Sequence, residues 1–143
     1  MRKLLIALFS GAMLTATASA EDVKIGIILG FTGPIESLTP DMAAGAELAI
    51  AEVNGGGKFM GGSKVTGIRG DSTCVDSAAA QATAERLVTS DKVNAIMGAD
   101  CSGVTGAILA NVAMANGVVM ISPSATSPGL STAEDNGLFF RTA

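Results

Sequence analysis

The chain of 143 residues contains no histidine, no tryptophan and no tyrosine, and only two cysteines and four prolines. Without histidine no Ser-His or Cys-His pair can form within it. Two cysteines and no histidine also fall short of a zinc set. Positive charge is scarce: 9 Lys+Arg stand against 13 Asp+Glu. With no basic cluster and no Tyr or Trp to stack on bases, that balance argues against nucleic acid. Beyond the first twenty residues no apolar run is long enough to span a membrane. No G-x-G-x-x-G follows the first strand-like run. Gly55-Gly56-Gly57-Lys58 has the composition of a phosphate loop, but it follows a predicted helix and lacks the Gly-Lys-Ser/Thr ending.

What is present begins with an export leader. Arg2 and Lys3 give a basic start, Leu4 to Ala16 is apolar but too short for a bilayer, and Ala18-Ser19-Ala20 fits an A-x-A cleavage site. The alternative is an N-terminal membrane anchor. Cleavage after Ala20 leaves a mature chain from Glu21 with 7 Lys+Arg, 13 Asp+Glu and a net charge of −6. No Cys follows the cleavage site, so no lipid anchor is expected. Residues 21–143 are enough for one lobe or small domain. The end, Leu138-Phe139-Phe140-Arg141-Thr142-Ala143, reads as a strand and its exit with nothing to cover it. The expectation is therefore an N-terminal fragment of a longer chain.

Two apolar runs end in the same way. Val93-Asn94-Ala95-Ile96-Met97-Gly98 leads into Ala99-Asp100-Cys101-Ser102-Gly103, and Val118-Val119-Met120-Ile121 into Ser122-Pro123-Ser124-Ala125-Thr126-Ser127-Pro128. Each reads as a buried strand opening into small hydroxyl and glycine residues. Ligands of open α/β sheets bind outside the carboxyl ends of the strands, so the chain looks built to hold a small polar molecule.

Around these runs the pattern is regular. A first strand spans 23–29. Thr39-Pro40-Asp41 predicts a helix start with Thr39 as N-cap, a face of Met42, Ala46, Ala49, Ile50 and Val53, and an end at Asn54-Gly55-Gly56-Gly57. A weaker strand spans 65–69. A second helix starts at Asp76-Ser77 with a face of Ala80, Ala84, Leu87 and Val88. Ser102 is predicted to cap a third helix with a face of Thr105, Ile108, Leu109 and Val112, ending at Asn116-Gly117. The strands at 93–98 and 118–121 complete β-α-β-α-β-α-β, a doubly wound parallel α/β sheet.

Two cysteines in an exported chain predict one disulfide, Cys74–Cys101, against the alternatives of free thiols or a metal pair. In strand order 2-1-3 the two strand ends lie about 9–10 Å apart, whereas bonded cysteines need Cα atoms about 4.4–6.8 Å apart. The two loops must then lean together over the end of the first strand. Ser102, at a predicted helix N-terminus, is either an anion contact or a cap with no ligand. The Asp-Cys-Ser-Gly pattern there is no nucleophile elbow. Asp71 and Asp100 lie past strand ends and could pair as acids, although loop hydrogen bonding is the plainer role.

Those residues give the chain a resemblance to the periplasmic solute-binding proteins of ABC transporters for branched-chain amino acids. It runs from Val23-Lys24-Ile25-Gly26 to Phe140-Arg141-Thr142-Ala143 and rests on Thr32-Gly33-Pro34, Asp71-Ser72-Thr73-Cys74, Asp100-Cys101-Ser102 and Ile121-Ser122-Pro123-Ser124-Ala125-Thr126. The resemblance implies a clamshell of type I topology, of which this is the truncated N-terminal lobe. It implies Ser102 and Thr126 as hydroxyl donors to a ligand carboxylate. It also implies the Ser124 carbonyl as acceptor for the ligand ammonium, with Ala125 lining the same turn. Leu38 occupies a position where some members carry an aromatic over the ligand side chain. A second lobe supplies an acid for the ammonium. The implied function is capture of a small amino acid or related carboxylate in the periplasm and delivery to an inner-membrane permease by a monomer with no cofactor. A ligand-sensing receptor domain of the same fold and an exported α/β hydrolase are the rival readings; the missing histidine counts against the second.

Overall fold

The computed structural model describes residues 21–143. The expected leader and its cleavage after Ala20 lie outside the described residues. Five parallel strands form one sheet in the order β2-β1-β3-β4-β5, where β1 is Val23–Leu29, β2 Val65–Asp71, β3 Ala95–Gly98, β4 Val119–Ser122 and β5 Phe139–Arg141. Helix α1 is Thr39–Gly56 and α2 is Ser77–Thr89. Helix α3 begins as Ser102–Ile108, passes through a π-helical stretch Leu109–Ala113 and closes with Met114–Asn116. The predicted strand–helix alternation and the 2-1-3 order are both present.

The two faces of the sheet are covered unequally. On one side α2 and α3 pack Ala80, Ala84, Leu87, Val104, Ile108, Leu109 and Val112 against Ile28, Ile96, Met120 and Phe139. Burying that apolar surface stabilises this side by roughly 25 cal/mol per Å². On the other side α1 covers only Ile27, Leu29 and their neighbours. Parallel register puts Met97, Ile121 and Phe140 side by side on that face, and Ile121 and Phe140 remain 47% and 53% exposed.

Local signals explain most element ends. Asp76 accepts from the N–H groups of Ala78 and Ala79, so α2 starts where the sequence predicts. Gly57 and Gly117 take left-handed conformations at the ends of α1 and α3. Asn54 exchanges hydrogen bonds of 2.8 Å with the N–H and C=O of Val65, tying the end of α1 to the start of β2.

Several expectations are corrected. Thr39 is the first residue of α1 and Leu38 precedes it as cap. The Thr39 hydroxyl is buried against the exit of β1 and donates to the Gly30 carbonyl, and no side chain caps the N–H groups of α1. Ala49 and Val53 are exposed; Ala43 is the buried contact of α1 instead. Ser102 is not the cap of α3, a position held by Cys101 without a side-chain bond. Strand β2 runs two residues further than predicted, because Gly70 and Asp71 pair with Ile28 and Leu29. Strand β3 starts at Ala95 because the N–H of Val93 is taken by the Leu87 carbonyl.

Candidate ligand-binding site

The strand exits are drawn together by one buried carboxylate. Asp100 is 3% exposed. Its Oδ2 accepts from the Gly30 N–H at 2.8 Å, and its Oδ1 accepts from the Ser72 hydroxyl at 3.3 Å and the Cys101 N–H at 2.9 Å. The Ser124 hydroxyl donates to the Asp100 carbonyl at 3.1 Å. One residue thus joins the ends of β1, β2, β3 and β4. Buried charge is tolerated only when such donors satisfy it.

Asp71 does the same at the rim. It accepts from the Thr32 hydroxyl at 2.5 Å, the Thr32 N–H at 3.3 Å and the Thr73 N–H at 2.8 Å. Burial pushes the Asp71 carboxyl up, but the hydrogen bonds from Thr32, Thr73 and Phe31 together outweigh it and hold the group below the ordinary carboxylate value. Both acids therefore act as loop ties, and they do not pair with each other. Among the described residues no three His, Cys, Asp or Glu side chains gather as a metal site.

The approach of the loops is close. Gly33 has φ +96°, and a Cβ there would stand 2.5 Å from the Thr73 carbonyl oxygen. Gly98, at the end of β3, has φ +130°, and a Cβ would meet the Ile28 carbonyl oxygen at 2.0 Å. Only glycine fits either position. Cys74 and Cys101 are bonded, with Cα atoms 5.2 Å apart, so the loops after β2 and β3 lean together over the end of β1.

Four of the predicted ligand residues, Ser102, Ser124, Ala125 and Thr126, lie in the loops of this platform. The Ser102 Oγ accepts from the Ser127 N–H at 3.0 Å, which joins the start of α3 to the loop after β4. Its proton has no acceptor among the described residues. Ala125 is fully buried, and its N–H donates to the Ser122 Oγ at 3.0 Å. Ser122 in turn donates to the Ala99 carbonyl at 2.5 Å. Thr126 is exposed, and among the described residues neither its N–H nor its hydroxyl makes a hydrogen bond. The Ser124 carbonyl likewise has no donor there. Leu38 is 61% exposed at the start of α1, and no hydrogen bond ties it to the Ser102–Ser127 pair.

Two contributors escaped the sequence reading. Ser122 is fully buried and organises the turn. Arg141, at the end of β5, donates from Nη1 to the carbonyls of Ala125 at 3.0 Å and Ser127 at 2.8 Å, and from Nη2 to the Ser131 hydroxyl. Ser122 sits within the Ile121-Ser122-Pro123 pattern; Arg141 carried no signal, because its partners lie 10–16 residues earlier.

The result is an open shelf, with no enclosed pocket among the described residues. Saturated polar groups surround four open ones: the Ser102 hydroxyl, the Ser124 carbonyl, and the Thr126 N–H and hydroxyl. These groups lie at the carboxyl edge of a doubly wound sheet, which is where open α/β sheets bind ligands. The chain belongs to the periplasmic binding protein family, whose pattern it matches over residues 22–143.

It is 38% identical over 104 residues to a Leu/Ile/Val-binding protein homolog of Brucella melitensis, covering 72% of this chain and 25% of that protein. To the Leu/Ile/Val-binding protein of Escherichia coli it is 33% identical over 125 residues, covering 87% of this chain and 33% of that one. A solved structure of the branched-chain amino acid transporter substrate-binding protein of Streptococcus pneumoniae, in complex with isoleucine, superimposes with a TM-score of 0.74 at 34% identity. It covers 84% of this chain and 33% of that one. The chain thus spans a quarter to a third of the length of these relatives.

Proposed function

We propose that this lobe belongs to the solute-binding component of an ABC importer. It would take a branched-chain or similar small amino acid in the periplasm and deliver it to an inner-membrane permease. The four open groups beside saturated neighbours carry this reading. Two donors on adjacent loops, Ser102 and Thr126, suit a carboxylate; the Ser124 carbonyl suits an ammonium a few ångströms away. Ala125 keeps the turn small enough for the ligand backbone to approach. Leu38 offers apolar surface at the rim for a side chain. The bound names of the relatives, leucine, isoleucine and valine, support the ligand class. Export by the leader at 1–20, a monomeric state and a second lobe closing over the shelf complete the proposal.

The test is calorimetry on the full-length protein. A hydrogen bond to a charged group is worth roughly 1.5–3 kcal/mol, so Ser102→Ala or Thr126→Val should weaken leucine binding by about ten- to a hundredfold. Converting the ligand carboxylate to an amide should hurt wild type strongly and the variants little, since both changes delete the same interaction. Ser102→Ala binding like wild type would put the carboxylate elsewhere. Its stability should fall by about 1 kcal/mol, because the Ser127 N–H then loses its acceptor.

A further inference from the structure

Thr126 is held in place without making a hydrogen bond of its own. On either side of it the backbone is fully used. The N–H groups of Ala125 and Ser127 donate to the hydroxyl oxygens of Ser122 and Ser102. The carbonyls of Ala125 and Ser127 accept from a single guanidinium nitrogen of Arg141, at 3.0 and 2.8 Å. A second nitrogen of the same group reaches the Ser131 hydroxyl, so the fork spans the loop from Ala125 to Ser131. No described carboxylate pairs with Arg141. Among the described residues its hydrogen bonds therefore go to neutral oxygens, two carbonyls and one hydroxyl.

The Ala125 carbonyl shares its peptide unit with the Thr126 N–H. In a trans peptide the two point in opposite directions. With the oxygen turned to Arg141, the N–H is turned away from it, and no described group accepts it. A donor on a peptide oxygen also polarises the same unit's N–H, and such chains strengthen cooperatively where the local dielectric is low. The Ser127 carbonyl can pass nothing on, because the next residue is Pro128, which has no N–H. Of the two carbonyl contacts, only the one to Ala125 leads on to an N–H, that of Thr126.

We propose that Arg141 is a positioning residue of the carboxylate site. Through the Ala125 carbonyl it fixes and polarises the peptide whose N–H, at Thr126, is offered to an anionic ligand group. This rests on the binding reading above, and it adds a residue that touches no ligand itself.

Two measurements test it on the full-length protein, with Arg141→Met to remove the donors and Arg141→Lys to keep the charge without the fork. The first is the 15N–1H spectrum without ligand. The Thr126 amide should move upfield in both nitrogen and proton in Arg141→Met, and part of the way in Arg141→Lys. An unmoved Thr126 amide in a folded variant overturns the relay whatever the protein binds. The second is the affinity for leucine against leucinamide. Residues sharing one hydrogen-bond network couple by amounts that correspond to about a tenfold change. Arg141→Met should lose about that factor for leucine and much less for leucinamide. Equal losses for both would make Arg141 a merely structural clamp. If wild type binds neither ligand, the amino-acid reading fails and the spectrum still decides the relay. If Arg141→Met fails to fold, Arg141→Lys carries both readouts.

Discussion

At the scale of single residues, the loops above the sheet are held by ionised or polar groups whose partners are far away in sequence. Asp71 accepts from Thr32, 39 residues earlier, and from Thr73. Those bonds hold its carboxyl below the ordinary value in spite of burial. The unfolded chain has no such bonds, so the ionised form is favoured more in the folded state. The stabilisation is complete above the unfolded value of about 3.9 and disappears as pH falls through the lower folded value. Asp71→Asn should therefore be less stable than wild type at pH 7, by denaturant titration, and the gap should close below about pH 4. A gap that stays constant to pH 2 would mean that Asp71 contributes by shape alone. Ser102 stands out from sequence because a small hydroxyl after an apolar run, at a helix start, is a local pattern; Thr126 is singled out only by the family resemblance. What Ser102 touches could not be read, because its oxygen serves Ser127, 25 residues later, and not its own helix. Arg141 was silent for the same reason: a strand-end arginine has many possible partners until the return path of the chain is known.

At the scale of elements, legibility followed the strength of the local signal. Helix α2 was readable to the residue at its start because Asp76 serves two N–H groups within its own first turn. Helix α1 differs from its predicted cap and from part of its predicted face, at Ala49 and Val53. Its Thr39 hydroxyl was drawn to a strand exit; Ala43 is buried, Met42, Ala46 and Ile50 are partly buried beside it, and Val53 is left at 40% exposure. Strand β3 lost its first residues to a bond from Val93 back to α2, which no periodicity reveals. The Cys74–Cys101 link belongs to this scale, since it joins the loop after β2 to the loop before α3. Closing a loop of 27 residues' separation should stabilise by about 3–4 kcal/mol in the chain-entropy model. Protein isolated from an oxidising compartment should show one bond and no alkylatable thiol by mass spectrometry, and reduction should lower its denaturation midpoint. Two free thiols in native material would remove the tether and leave the Ser72–Asp100 hydrogen bond to link those strand ends.

At the scale of the whole molecule, the order β2-β1-β3-β4-β5 was largely implied once four strands joined by three helices were recognised, because parallel crossovers are right-handed and short. The balance between the two faces was not implied. It depends on what packs over Met97, Ile121 and Phe140, and the sequence of 21–143 has only α1 for that side. The site shares this one-sidedness. Every group proposed to meet the ligand comes from one edge of one sheet, and the shelf stays open to water. An ammonium held by the Ser124 carbonyl alone, and a carboxylate held by two loops alone, keep most of their hydration, so the net gain per bond is small. A companion lobe would remove that water and add the missing charge. Residues 21–143 expressed alone should accordingly fold yet bind leucine weakly. At micromolar protein, calorimetry should give no saturable heat, while the full-length protein titrates. A closing lobe that adds two charge-assisted bonds of roughly 1.5–3 kcal/mol each accounts for a difference of two to four orders of magnitude. Sub-micromolar binding by the isolated lobe would mean that the shelf at β3 and β4 is sufficient by itself, and that closure governs release instead of affinity.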